Sequence, residues 1–130
     1  QCVHKQVHLF SSVWIENKSG SYIVHELPDE AQFFPIFSFD VSDIDNDGFP
    51  DILAVGNWFD KQPDIGRQDS GNGLLLKSSG AGKFIAVPPS KSGFWVAGEG
   101  RYVKVIDGTA SRWVLVARNN DSTLLYKVLK

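Results

Sequence analysis

Ile52-Leu53-Ala54-Val55-Gly56-Asn57 and Val114-Leu115-Val116-Ala117-Arg118-Asn119 are the stretches on which the fold of this chain is read, and they stand 62 residues apart. A second pair, Gly20-Ser21-Tyr22-Ile23 and Gly82-Lys83-Phe84-Ile85, has the same offset of 62. Two separated segments sharing one offset mark an internal repeat. Between them, Val41-Ser42-Asp43 answers to Val105-Ile106-Asp107, with two fewer residues in the loop that follows the second copy. Only the first copy carries an insertion, Phe59 to Gly73, where the second has Asn120–Thr123.

The segments between these landmarks read as strands and turns. Ser12–Ile15 and Ser21–Leu27 flank Asn17-Lys18-Ser19-Gly20, and the second alternates Tyr22 and Val24 with Ile23 and His25. Phe37, Phe39 and Val41 alternate with Ser38 and Asp40, the pattern of a strand with its apolar face in a core. Ile52–Val55 is a continuous apolar run, as expected of a strand buried on both faces. Leu74–Leu76 and Lys83–Val87 repeat the hairpin pattern, and Tyr102–Ile106, Trp113–Ala117 and Leu124–Leu129 complete the set. Helical periodicity is weak and confined to Asp29–Phe33. The expected fold is all-β. Each unit supplies about four strands, the size of a β-propeller blade, and repeat arrays bury each unit's apolar face against its neighbour. With blade strands lettered A to D, the chain runs C-D, then A-B-C-D, then A-B-C. Residues 1–11 read as an N-terminal extension and 12–130 as a single domain of two propeller-like repeats. The first repeat is 12–73, with the insertion 59–73, and the second is 74–130. About two blades form a segment of a larger propeller or a ring closed by oligomerisation; a small β-barrel or sandwich is the alternative.

Composition narrows the function. The chain has 130 residues, 42% hydrophobic and 22% charged, a globular balance. Its net charge of -2 supplies no field for nucleic acid or an anionic membrane. No apolar run approaches the roughly 18–20 residues that span a bilayer. Cys2 is the single cysteine, which rules out an intrachain disulfide framework. Methionine is absent even at position 1, so the chain reads as a portion of something longer.

The strongest chemical signal is Asp43-Ile44-Asp45-Asn46-Asp47-Gly48-Phe49-Pro50-Asp51, with carboxylates at loop positions 1, 3, 5 and 9 and glycine at 6. Carboxylates this close repel one another, and a compact loop needs a cation. Hard oxygen ligands and a glycine turn suit Ca²⁺, which takes 6–8 oxygens. Asp43, Asp45, Asp47 and Asp51 would offer side-chain oxygens and Phe49 its carbonyl. An EF-hand would need glutamate at position 12, where Ala54 stands, and helical flanks, where strands are read.

This loop, followed by Ile52-Leu53-Ala54-Val55-Gly56-Asn57, resembles the FG-GAP/VCBS repeats of integrin-α-like β-propellers. It is most similar to the C-terminal part of bacterial ASPIC/UnbV-associated proteins, through Gly56-Asn57-Trp58-Phe59, Ile65-Gly66-Arg67-Gln68-Asp69, Gly73-Leu74-Leu75-Leu76, Pro88-Pro89-Ser90-Lys91-Ser92-Gly93-Phe94 and Ala117-Arg118-Asn119-Asn120-Asp121. The resemblance covers about residues 12–129. It implies a secreted, periplasmic or cell-surface protein, stabilised by calcium and built for binding or adhesion. The Gly-Ala-Pro element is missing, and Asp107-Gly108-Thr109-Ala110-Ser111-Arg112 lacks the carboxylate ladder, so a second site of this kind is not expected.

Trp58, Asp64, Arg67, Asp69 and Trp95 are the candidate ligand-binding residues, on the insertion and at loop edges. A packing role for Arg67, paired with Asp64 or Asp69, competes with ligand contact. Trp14 and Trp113 lie within strands and read as core. His4, His8 and His25 read as surface or structural residues. No nucleophile elbow, Cys-His pairing or phosphate-cradling loop occurs, and the carboxylates available for acid–base work are those a cation would use. A non-enzymatic module with a protein or carbohydrate partner is expected. A lectin-like oligomer of two-blade chains and a non-catalytic piece of a glycan-active protein are the alternatives.

Overall fold

The computed structural model describes residues 3–60, 64 and 66–129. Cys2, and Lys61 and Ile65 of the insertion, lie outside the described residues. Nine strands form three antiparallel sheets among the described residues: β1 (Val13–Lys18) with β2 (Ser21–Glu26); β3 (Ile36–Ser42), β4 (Asp51–Gly56), β5 (Leu74–Ser78) and β6 (Phe84–Val87); and β7 (Gly100–Asp107), β8 (Arg112–Arg118) and β9 (Leu124–Lys127). A 3₁₀ turn at Asp29–Gln32 occupies the weakly helical stretch, and one helical turn, α1 (Pro89–Ser92), follows β6. Proline at its start and Gly93 at φ 70° after its end delimit that turn.

The repeat is preserved in strand register. Ser38 pairs with Val55 and Tyr102 with Ala117, so β7–β8 reproduces β3–β4 at offsets of 64 and 62. A bulge between Ile36 and Ser38 recurs between Gly100 and Tyr102. Likewise Asn17 pairs with Tyr22 and Ser78 with Phe84, which matches β1–β2 to β5–β6. Both hairpins turn through successive left-handed residues, Ser19-Gly20 in one and Gly80-Ala81-Gly82 in the other. Such positive φ values suit the right-handed twist of the strands they join. The four-stranded sheet spans the boundary between the two sequence units, taking β3 and β4 from the first and β5 and β6 from the second.

β4 separates two apolar cores. Leu53 and Val55 pack with Val103, Val105, Val114 and Val116 of the third sheet, joined by Phe94 and Val96. Ala54, on the other face, joins Leu74, Leu76, Ala31 and Phe34. The reading of Ile52–Val55 as a doubly covered strand matches this burial.

The reading of β3 does not. Phe37, Phe39 and Val41 are exposed, and it is Asp40 that is buried. Alternation identified the two faces of the strand, but the polar face meets β7. The Val103 N–H donates to Ser38 Oγ at 3.1 Å, and Lys104 Nζ to Asp40 Oδ2 at 2.6 Å. Trp14 and Trp113 are half-buried rather than core. Trp14 stacks on His25 at 4.3 Å, and the His25 imidazole bonds Glu16.

Burial alone would raise the Asp40 carboxyl, but hydrogen bonds from Lys104, Ser42 and the Val105 N–H hold it below its ordinary 3.8. Depressed in the folded state, it stabilises the protein above that value and ceases to do so as pH falls through the lower folded one. Asp40→Asn is expected to cost about 1–2 kcal/mol at pH 7 in urea unfolding, discounted for a half-exposed Lys104. The difference from wild type should shrink below pH 3.8. A pH-independent difference would contradict the assignment. Gly56 allows no side chain, because a Cβ would stand 1.8 Å from the Pro35 carbonyl oxygen. Gly56→Ala should destabilise by about 1–3 kcal/mol in the same measurement.

Candidate metal centre

The acidic segment joins β3 to β4 as an irregular loop that turns twice through left-handed residues, Asn46 at φ 60° and Gly48 at φ 90°. Those turns fold the chain back so that Asp43 receives backbone donors. Its Oδ1 accepts the Asp47 N–H at 3.1 Å and its Oδ2 the Gly48 N–H at 2.9 Å. Asp51, the first residue of β4, is buried, and accepts from Ile44 N at 3.0 Å and Ser78 N at 2.9 Å. Two of the carboxylates are therefore aimed by the backbone rather than left to rotate.

Asp43, Asp45 and Asp51 each present a carboxylate oxygen within 4.8 Å of the others, an arrangement that can hold a metal ion. The donors are hard anionic oxygens without nitrogen or sulfur, which suits Ca²⁺, Mg²⁺ or Mn²⁺ over softer metals. Asp47 is turned differently: its Oδ1 accepts the Phe49 N–H at 2.9 Å, and its Oδ2 lies 3.3 Å from Lys77 Nζ. Lys77 also pairs with Asp45.

Lys77 is the participant that the sequence did not reveal. Its ammonium reaches the loop from β5, beside the strand that begins with Asp51. Hydrogen bonds to Asp45 and Asp47 raise its pKa, and the bond from Lys77 lowers that of Asp45. Burial raises the Asp51 carboxyl against the pull of its two backbone donors, and the charges of Asp45 and Asp47 raise it further. Only a positive charge beside these groups relieves that repulsion, and Lys77 supplies one. A lone lysine closing the Leu74-Leu75-Leu76-Lys77 run was the available sequence signal.

The equivalent loop of the second unit is closed by its own cation. Asp107 keeps the leading carboxylate position and accepts from Arg112 Nε at 2.5 Å, while the same guanidinium donates to the Asp43 carbonyl. The two loops are thereby tied together.

The other candidate residues lie apart from this loop in the chain and have different surroundings. The insertion is closed by a β-bridge between Trp58 and Gln68. Asn57, buried at φ 81°, pins its far end by exchanging two hydrogen bonds with Gly71 and donates a third to the Gly98 carbonyl. Glu99 accepts from Phe59 N, Arg101 and Asn119, which anchors the insertion to the second unit. Among the described residues Arg67 pairs with neither Asp64 nor Asp69; its guanidinium lies over the Phe59 ring, 5.1 Å from the centroid. Asp64 and Asp69 are exposed. Trp95 is exposed and lines a groove of about 360 Å³ with Phe33, Pro88 and Pro89. No family model matches this chain, and comparisons with curated proteins and with solved structures return no match.

Two substitutions separate metal binding from folding. Asp51→Ala leaves the Ile44 and Ser78 N–H groups without their acceptor and should cost about 2–4 kcal/mol in urea unfolding without added metal. Lys77→Met should tighten the binding of any divalent ion this loop takes in calorimetry, because the competing cation is gone, and should weaken the metal-free loop. Unchanged affinity would show that Lys77 does not compete with an ion.

Proposed function

We propose that this chain is a calcium-stabilised segment of a β-propeller of the FG-GAP/VCBS type, acting as a binding or adhesion-like module outside the cytoplasm. The observation that carries the reading is the Asp43, Asp45 and Asp51 group in the loop between β3 and β4. Ligand oxygens on opposite sides of a calcium ion stand about 4.8 Å apart when each Ca–O distance is about 2.4 Å. The three oxygens, all within 4.8 Å of one another, fit inside such a sphere, as they would inside the smaller one of magnesium. Magnesium would demand a tighter octahedron with more of its own waters. Calcium would neutralise the four loop carboxylates, with the Phe49 carbonyl as a further ligand, and its role is structural. Hairpins that recur in matching register at an offset of about 62 residues, with the third sheet packed on the second, support the blade reading. The module's partner, protein or carbohydrate, would meet the inter-sheet loops, the Phe59–Gly73 insertion first. A carbohydrate is favoured at one place, the aromatic and proline groove beside Trp95.

Calcium titration of the intact chain tests the reading. At 100-fold excess over its Kd the ion should add about 2.7 kcal/mol, or on the order of 10 °C in Tm. Asp45→Ala should abolish that gain, and magnesium should reproduce little of it. Failure of calcium to raise Tm, with Asp45→Ala as stable as wild type, would remove the metal from the account. Trp95→Ala should abolish any glycan binding seen by calorimetry while leaving the calcium response intact.

A further inference from the structure

The register of the repeat identifies an incomplete interface. In the third sheet, Val103 and Val105 are 1% and 9% exposed, packed with Leu53 and Val55 of β4 in the sheet before it. Their equivalents one unit earlier, at an offset of 64, are Phe39 and Val41, which are 65% and 54% exposed. What should cover them is missing from the first sheet. β1 and β2 match β5 and β6, the last two strands of a four-stranded unit, and among the described residues the strands equivalent to β3 and β4 have no counterpart beside β1. β5 pairs with β4 along its other edge; β1 pairs with β2 alone among the described residues. An apolar groove of about 460 Å³ occupies that place, lined by Val13, Trp14, Leu27, Phe37, Phe39 and Val41 among others.

We propose that this groove and the bare edge of β1 form a docking site for a two-stranded antiparallel β-ribbon from another unit of the same repeat. The ribbon would extend β1–β2 to four strands, because an open strand edge offers unpaired backbone groups and adds strands readily. The interface between the second and third sheets states its chemistry. There Ser38 and Asp40 accept the Val103 and Val105 N–H groups, while Leu53 and Val55 cover the valines. The ribbon must therefore carry a hydroxyl and a carboxylate at alternate positions of its first strand, to cap the Phe39 and Val41 N–H groups. Its second strand must present aliphatic side chains.

A second copy of this chain does not fit. Its β3–β4 is already committed to its own β7. Its β7–β8 carries Tyr102 and Lys104 where Ser38 and Asp40 stand, and the far edge of β8 is taken by β9. This inference rests on the stacked-repeat part of the proposed function and is independent of the metal.

The test joins a copy of residues 29–73 directly ahead of Val13 in the chain, so that the added β3–β4 strands can meet β1. Amide hydrogen exchange at Phe39 and Val41 is expected to slow on the order of 100-fold, with a higher Tm and loss of hydrophobic-dye binding. Phe39→Asp should cancel the gain in the extended chain and leave the Tm of the original chain nearly unchanged. Should the extended chain misfold, a synthetic peptide of residues 36–56 added to the intact chain supplies the second measurement, read by the same exchange and by Trp14 fluorescence. Unaltered exchange at both amides in both formats would overturn the proposal. So would protection that appears in the unextended chain as its concentration rises, since the occupant would then be a second copy. A calcium response that fails while the protection holds would remove the metal reading alone, and the converse would remove this one.

Discussion

β4 is the strand on which both cores depend. Apolar side chains leave it in both directions, Leu53 and Val55 into one core and Ala54 into the other. A strand covered on both faces and paired on both edges has little freedom to shift, because a one-residue slip would exchange its two faces. Everything of chemical interest is attached to its ends. Asp51 opens it and orients the acidic loop; Gly56 closes it against the Pro35 carbonyl; Asn57 then gathers the insertion and the second unit around its amide. A rigid strand of this kind is what holds carboxylates close together despite their repulsion.

The two equivalent loops solve the same electrostatic problem differently. In the second, one carboxylate meets one guanidinium of the same loop, Asp107 with Arg112. In the first, four carboxylates crowd together and the nearest cation, Lys77, comes from a neighbouring strand. A lysine reaches two carboxylates as a monovalent charge on a flexible stem; a divalent ion can bind several oxygens at once. The surplus of negative charge around Asp51 is the physical difference between a loop that one guanidinium closes and one whose carboxylates could hold a metal ion.

The strands were legible because turn residues and apolar spacing act locally. Gly20 and Gly82 mark the two tight hairpins, and the repeat offset survives in the register of the strands themselves. The carboxylate spacing was legible for the same reason: ligands on one loop are set by that loop's own geometry. Lys77, Glu99 and Asn57 were not legible. Each meets a partner far off in the chain, Asn57 with Gly98 at 41 residues, Glu99 with Phe59 at 40 and Lys77 with Asp45 at 32, and no local pattern encodes such a meeting.

β3 shows where the division falls. Its sequence determined two faces, one with Phe37, Phe39 and Val41 and one with Ser38 and Asp40, because side chains alternate along any strand. Which face is covered depended on which neighbouring strands the chain contains, and only the tertiary structure decided that. β7 lies against the polar face, where hydroxyl and carboxylate oxygens satisfy its edge N–H groups, and the aromatic face is left open. Sequence alone determined an all-β repeat with an acidic loop able to gather a cation, since both follow from near-neighbour spacing. The lysine that shares that loop and the exposure of the aromatic face of β3 were decided in three dimensions, because long-range contact, not local pattern, settles what each side chain meets.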